Sequence, residues 1–133
     1  MVFKFQGAVY DLYEKEQNTA RSNKGGWQSA INLHKRQTAE FKWLMKTLLH
    51  VGYQCIGHIE GPNLTDGIVL GASWANINPS GAWNAPHVHM PCEWVGVFYL
   101  QTNTKPQLHN ASSELCEGDL MFIDPQPVSP QYR

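Results

Sequence analysis

The chain has 133 residues, which is enough for one domain and leaves no room for a second sizeable core. Hydrophobic residues make up 42% of the chain and charged residues 16%, a composition typical of globular proteins that excludes intrinsic disorder. The net charge of −1 argues against binding to nucleic acid or to an anionic membrane, because both need a basic surplus.

The sequence predicts neither a membrane span nor a signal peptide. No apolar stretch approaches the roughly 18 residues that a membrane span requires, and the N-terminal residues meet an acidic side chain by Asp11 without a cleavage pattern. Cys55, Cys92 and Cys116 form neither a disulfide framework nor a CxxC zinc pattern. These features predict a cytoplasmic protein with reduced thiols.

One helix is predicted in the N-terminal half. Residues 1–13 alternate loosely and indicate an edge strand, and the polar residues 14–26 indicate a loop. Apolar residues then recur at helical spacing, which predicts a helix over 38–51 that packs on the outside of a sheet, with Thr38 as its cap and Gly52 as its end. The apolar face consists of Phe41, Leu44, Met45, Leu48 and Leu49.

From residue 67 onward the pattern changes to β. The predicted strands span residues 68–75, 86–90, 94–101 and 119–124. A turn over 79–81 separates the first two strands, and a polar loop over 102–117 separates the last two. The prolines that follow residue 124 exclude regular sheet pairing in the tail.

The predicted fold class is therefore mostly β with one N-terminal α-helix. A single domain is expected over 1–133, with an α/β support over 1–66, a β-meander over 67–126 and a proline-rich tail over 127–133.

The sharpest chemical feature is the pair His87 and His89. On a strand, residues i and i+2 point to the same face roughly 6.5–7 Å apart, so two imidazoles can converge on one metal ion. Imidazole suits iron, zinc, copper and nickel. The alternative is two polar residues on the wet face of a half-exposed strand. Trp74, Trp83 and Trp94 lie close in sequence and are expected to wall a pocket.

A third ligand is needed, and Glu93 is the first candidate. Residues 81–93 are similar to the first half of the first cupin motif, in which the glutamate is also a ligand, although Leu100 stands where that motif closes with glycine. Asp124 and His109 are weaker candidates, because a residue before proline more often forms a turn and a polar loop is exposed.

Five segments resemble, in order and spacing, motifs of a family assigned as iron(II)- and 2-oxoglutarate-dependent oxygenases of bacteria and tailed phages. The segments are residues 22–29 (SNKGGWQS), 73–78 (SWANIN), 87–89 (HVH), 94–100 (WVGVFYL) and 118–125 (GDLMFIDP). The resemblance covers about residues 20–126, and a phage origin would place the protein in the cytoplasm of a bacterial host.

The resemblance implies a double-stranded β-helix, the jelly-roll or cupin-like fold, with iron(II) and 2-oxoglutarate as cofactors. His87 and His89 would be catalytic and would hold the iron, while Trp74, Asn76 and Tyr99 would contact the co-substrate. Decarboxylation of 2-oxoglutarate would drive a hydroxylase-type oxidation of an unknown substrate.

The chain departs from the family after its DP motif. Gln126 stands where the family has arginine, and the distal histidine of the family lies beyond Arg133. The jelly roll would be incomplete, so a homo-oligomer or a stable partner protein is expected to cover it and to supply the missing ligand. Two other functions stay open: a non-catalytic structural or interaction protein, and a cupin-like metal-binding protein that uses His87, His89 and Glu93.

Overall fold

A computed structural model describes residues 2–61, 67–102 and 118–121. The chain divides into two compact units, Met1–Leu100 and Gln101–Arg133, and every helix and strand below belongs to the first. In chain order the elements are α1 (Val2–Lys15), β1 (Asn23–Lys24), β2 (Trp27–Gln28), a 3₁₀ helix (Leu33–Lys35), α2 (Ala39–Glu60), β3 (Asn76–Ile77) and β4 (Trp83–Asn84). In the second unit, the described residues 101, 102 and 118–121 lie outside helices and strands.

Helix α1 occupies the region predicted as an edge strand, so the prediction for residues 1–13 was wrong. Phe5, Val9 and Leu12 follow the spacing i, i+4, i+7, and all three are buried on one helical face. A strand would turn Leu12 to the face opposite Phe5 and Val9. The loose alternation of aromatic and β-branched residues concealed this helical period. The predicted loop over 14–26 is shortened at both ends, by α1 and by β1.

Helix α2 confirms the helix predicted over 38–51 but extends it to Glu60. Thr38 is the N-cap residue, although its side chain makes no capping hydrogen bond. Gly52 lies inside the helix, and Gly61, with a φ of +58°, is the residue at which the helix ends. The prediction of the C-terminus was wrong because a helix tolerates an internal glycine at a cost of about 1 kcal/mol.

Replacing Gly52 with alanine is expected to raise the free energy of unfolding by about 0.5–1 kcal/mol. An alanine Cβ at this position meets no atom within 4 Å, and alanine loses less backbone entropy than glycine in a helix. Urea denaturation followed by circular dichroism measures the change. Gly61→Ala is the matched control and should lose stability, because its positive φ disfavours alanine. A loss of stability in Gly52→Ala would mean that the helix does not continue through this residue.

The core lies where α1 and α2 meet. The rings of Phe5 and Phe41 pack edge to face, with their centroids 5.3 Å apart. The buried cluster consists of Phe5, Val9, Leu12, Trp27, Leu33, Phe41, Leu44 and Met45. The predicted apolar face of α2 is thus buried at its N-terminal end, whereas Leu48 and Leu49 are only half-buried. The partners of this face are α1 and the 3₁₀ helix, together with side chains near the short strands, rather than the outside of a broad sheet.

An ion pair joins the C-terminal end of α1 to the residue that follows the 3₁₀ helix. Arg36 donates to a carboxylate oxygen of Glu16, the residue that follows α1, and both side chains are about three-quarters buried. The guanidinium carbon of Arg36 also lies 6.0 Å from the centroid of the Phe41 ring, within the range of a cation–π contact. Phe41 therefore packs against both an aromatic ring and a cation.

Two short antiparallel pairs join distant parts of the chain. β1 pairs with β4, β2 pairs with β3, and an isolated bridge joins Asn32 to Ser73. The predicted turn at 79–81 is confirmed, because the Ala82 amide donates to the Pro79 carbonyl at 3.0 Å. Gly81, the third residue of this turn, has a φ of +82°, which a type II turn requires at that position. The turn leads directly into β4.

The long predicted strands are not formed in the described part of the chain. Over 68–75 burial alternates up to residue 72, since Val69 is exposed while its neighbours are half-buried. The segment forms no strand, although a bridge at Ser73 and a hydrogen bond to the Ala75 carbonyl attach it to earlier residues. The described residues of 86–90, 94–101 and 119–124 belong to no strand. A strand needs a hydrogen-bonded neighbouring strand as well as β propensity, and β propensity alone does not supply that neighbour. Asp124, His109 and the proline-rich tail lie outside the described residues.

The predicted fold class is confirmed only in its coarse features: a helix over 38–51 and short antiparallel strand pairs. Among the described residues the two helices hold more of the chain than the four strands do, which fits a mostly β class only loosely. The jelly roll stays a prediction. None of the helices in the described ranges combines the length and the apolar character needed to cross a membrane.

Candidate functional site

The histidine pair follows directly on β4. The antiparallel pairing of β4 with β1 continues by one hydrogen bond, in which the Ala85 amide donates to the Ser22 carbonyl at 2.9 Å. His87 lies two residues further along the chain. The path of the backbone toward the pair is therefore fixed by residues more than 60 positions earlier in the sequence.

The two imidazoles meet although their backbone is not a strand. Their ring centroids are 4.5 Å apart, and the ring planes are nearly perpendicular, at 81°. A turn follows the pair, in which the Cys92 amide donates to the His89 carbonyl at 2.8 Å, and the peptide bond before Pro91 is cis. The rings of His87 and His89 are in contact, whereas the strand predicted over 86–90 was wrong. Prolines at both ends of the segment remove two ladder donors.

A backbone carbonyl fixes the tautomer of His87. Its Nδ1 lies 2.6 Å from the carbonyl oxygen of Ala85. A carbonyl can only accept, so Nδ1 carries the hydrogen and, in the neutral ring, Nε2 carries the free lone pair. This is the arrangement in which a metal-binding histidine is oriented by a hydrogen bond on its other nitrogen.

The pKa of His89 is lowered from its ordinary value of 6.5, first by burial and second by the nearby charge of His87. Both causes disfavour the imidazolium form, because a buried cation loses hydration and a second cation repels it. The neutral ring is the form that binds metal ions. The environment of His89 therefore favours a ligand over a cation near neutral pH.

An NMR titration of the ring protons is expected to place the pKa of His89 below 6.5. The unfolded chain then binds more protons than the folded chain as the pH falls below 6.5. The stability linked to His89 is present above pH 6.5 and is lost as the pH falls through the folded pKa. His87→Ala should raise the pKa of His89 only part of the way, because burial is the larger cause and remains. A pKa of His89 at or above 6.5 would contradict the packed pair.

Of the three tryptophans predicted to wall the site, Trp74 is the one whose ring is placed against the pair. Its centroid lies 5.4 Å from that of His89, with the planes tilted by 40°. Trp83 lies in β4 and is 56% exposed, and Trp94 is 45% exposed. The structure thus gives one aromatic wall rather than a tryptophan-lined pocket.

The other predicted site residues are spread along the chain. Asn76 lies in β3 with an exposed side chain, and Tyr99 is 49% exposed in a segment outside regular structure. Glu93 is exposed. Within the described ranges no group of three or more histidine, cysteine, aspartate or glutamate side chains is placed to hold a metal ion.

The segment 22–29 (SNKGGWQS) is a centre of hydrogen bonding. The buried Asn23 accepts from the Gly26 amide at 3.0 Å and donates from Nδ2 to Asn78 Oδ1 at 2.6 Å. The fully buried Ser29 accepts from the Ala75 amide at 3.0 Å through Oγ, and its own amide donates to the Ala75 carbonyl at 3.0 Å. The segment therefore ties the N-terminal part of the chain to the strands beside the histidines.

These residues were missed as parts of the site by sequence reasoning. The sequence assigns Asn23 and Ser29 only to the motif-like segment 22–29, and Asn78 only to the segment 73–78. A signal was nevertheless present, since polar residues next to paired glycines and a tryptophan indicate a tight backbone approach with internal hydrogen bonds. The identity of their partners, about 50 residues away, is not readable from local pattern.

A separate groove of about 470 Å³ lies between α1 and the start of α2. Three basic and two acidic side chains line it, together with apolar ones. The basic and acidic residues are Lys4, Lys15, Arg36, Asp11 and Glu40. The mixed charges select no class of ligand, and the histidine pair is not among the lining residues. The histidine pair is therefore kept as the candidate site.

Comparisons of the chain with family models, with curated proteins and with solved structures gave no match.

Proposed function

We propose that the chain is a metal-binding protein of the iron(II)- and 2-oxoglutarate-dependent oxygenase type, with a jelly-roll fold and with His87 and His89 as metal ligands. The observation that carries the proposal is the contact between the two imidazole rings, at a centroid distance of 4.5 Å. The five motif-like segments in family order give it independent support from the sequence.

The two histidines fit a divalent metal ion as donors. The hydrogen bond from Nδ1 of His87 to Ala85 leaves Nε2 free, and the lowered pKa of His89, caused mainly by burial, favours the neutral form of that ring. Iron bound there would supply redox chemistry and open coordination positions. The chain itself places the two imidazole rings against each other and packs the Trp74 ring against that of His89.

The residues fit 2-oxoglutarate less well. The family resemblance expects an arginine after the DP motif to pair with the co-substrate, and this chain has Gln126, whose neutral amide forms no ion pair. Of the three predicted contacts of the co-substrate, only Trp74 has a ring contact with the histidine pair. The residues therefore support metal binding more strongly than an oxidation that uses 2-oxoglutarate.

The test is metal titration of the purified chain with iron(II) under anaerobic conditions, and with cobalt(II) as a spectroscopic probe. His87→Ala and His89→Ala should each weaken binding by at least about tenfold, which corresponds to about 1.4 kcal/mol or more. His50→Ala and His58→Ala are matched controls, because both are exposed on α2, and they should bind as the parent chain does. Unchanged affinity in His87→Ala and His89→Ala would refute the proposed site.

Oxygenase chemistry is tested on the same preparations. Consumption of 2-oxoglutarate that requires iron and oxygen, and that is lost in His89→Ala, would support the oxygenase proposal. Metal binding without consumption would restrict the function to metal binding.

A second candidate function is a non-catalytic interaction protein, and one observation favours it. The segment 94–99 is apolar and exposed, and it belongs to no strand. The exposed fractions of its side chains are 45% for Trp94, 58% for Val95, 56% for Val97, 49% for Phe98 and 49% for Tyr99. A contiguous apolar surface of this kind is typical of a partner interface. Sedimentation at micromolar concentration distinguishes the cases: self-association supports the interface, and a stable monomer argues against a second copy as its partner.

A further inference from the structure

We infer that the segment 22–29 positions the two imidazoles of the candidate site, Asn23 acting on His87 and Ser29 acting on His89 through Trp74. The inference rests on the proposed function in one respect, that the histidine pair is the site being positioned. Asn23 and Ser29 are positioning residues, since neither touches the imidazoles.

The first connection runs from Asn23 to His87. The Asn23 side chain binds the Gly26 amide and Asn78, so it holds the β1 loop against the residues that precede the turn into β4. β1 then pairs with β4, and the Ala85 amide donates to the Ser22 carbonyl. The carbonyl of the same Ala85 accepts from Nδ1 of His87. The hydrogen bonds of Asn23 thus hold β1, the pairing with β1 holds Ala85, and the Ala85 carbonyl orients the ring of His87.

The second connection runs from Ser29 to His89. The Oγ and the amide of Ser29 engage both the amide and the carbonyl of Ala75. The preceding residue, Trp74, is therefore held on its C-terminal side by Ser29, and the bridge at Ser73 holds its N-terminal side. The Trp74 ring packs on His89 at 5.4 Å.

The segment that carries the imidazoles has little support of its own. In the described part of the chain, the hydrogen bonds of residues 86–92 are the bond from His87 to Ala85 and the turn from Cys92 to His89. Both hydrogen bonds join residues close in sequence. The orientation of the two rings therefore depends on the positions of Ala85 and Trp74. Removing either connection should release one ring while the helical core persists, because α1 and α2 supply most residues of the buried cluster.

The test is NMR of the metal-free protein with histidine ring protons as the readout. The cross-peak between the His87 and His89 rings should be lost in Asn23→Ala. It should also be lost in Ala85→Pro, which removes the amide that donates to Ser22 and fixes the backbone φ at residue 85. Asn78→Asp should retain it, because a carboxylate still accepts from Asn23. Ser29→Ala should instead remove the upfield shift that Trp74 imposes on His89.

Thr47→Ala is the matched control for the loss of a partly buried hydrogen bond, since Thr47 donates to the Trp43 carbonyl at 2.9 Å within α2. It should leave both signals unchanged. Protection of the α1 and α2 amides from hydrogen exchange verifies that each variant is folded. If Asn23→Ala is not folded, Ala85→Pro tests the same connection. Where the parent chain binds metal, Asn23→Ala should weaken binding by about 10–100-fold, as expected for a residue that orients a ligand.

The outcomes separate the inference from the proposed function. If the variants lose the ring signals and the parent chain binds no metal, the positioning role is supported and metal binding is refuted. Intact ring signals in folded Asn23→Ala, Ala85→Pro and Ser29→Ala would overturn the positioning role, whatever the metal affinity of the parent chain.

Discussion

Replacing Phe41 with alanine is expected to lower the free energy of unfolding by about 3–5 kcal/mol. The side chain is 3% exposed, its ring packs edge to face on Phe5, and the guanidinium of Arg36 lies over it. The substitution leaves a cavity at the contact of α1 with α2 and removes the cation–π contact. Urea denaturation followed by circular dichroism gives the change in free energy.

Tyr53→Ala is the matched control for Phe41→Ala, because it removes another aromatic ring from the same helix at a position that is 53% exposed. Its free energy of unfolding should change by no more than about 0.5 kcal/mol. A loss in Phe41→Ala as small as that in the control would mean that α2 does not pack on α1 through this face.

The second large effect is expected at Gly26. A Cβ at this position would lie within 3 Å of side-chain amide atoms of both Asn23 and Asn78. The two asparagines are bonded to each other, and Asn23 also binds the Gly26 amide, so neither can move away without losing a hydrogen bond. Gly26→Ala should therefore lower the free energy of unfolding by about 1–3 kcal/mol through overpacking, with a further loss from the broken hydrogen bonds.

Gly71→Ala provides the comparison for Gly26→Ala, because a Cβ at Gly71 meets no atom within 4 Å. Its stability should stay within about 0.5 kcal/mol of the parent chain, as for an exposed substitution away from special features. Thermal unfolding of both variants measures the difference. Equal stability of the two variants would show that the asparagine pair does not close over Gly26.

The parts of the fold that sequence predicted correctly are those fixed by local period. Phe41, Leu44 and Met45 recur at helical spacing, and the structure buries all three on one face of α2. Residues 94–101 failed as a strand prediction because a strand depends on a neighbour elsewhere in the chain, and propensity alone does not specify that neighbour. Helix α1 was missed for a different reason, since aromatic and β-branched residues in a short stretch satisfy both periods for part of their length.

Of the candidate site, the sequence identified the histidine pair but not the residues that support it. His87 and His89 are identified by their types and spacing, and their rings do meet. Glu93 fulfils the same kind of spacing rule, yet the described residues form no three-ligand group around it. Asn23 and Ser29 escape prediction because their role depends on partners 55 and 46 positions away, Asn78 and Ala75.

The long-range pairing of β1 with β4 has a consequence for the order of folding. Closing a loop of about 60 residues costs entropy before the two-residue pair returns any stabilisation, whereas α1 and α2 form through local contacts. We therefore expect the helical pair to form first in refolding and the strand pairs to form late. In hydrogen exchange, the Ala85 amide should open at a lower free energy than the amides at the centre of α2. The ring contact of the histidines would then be a product of the last folding step.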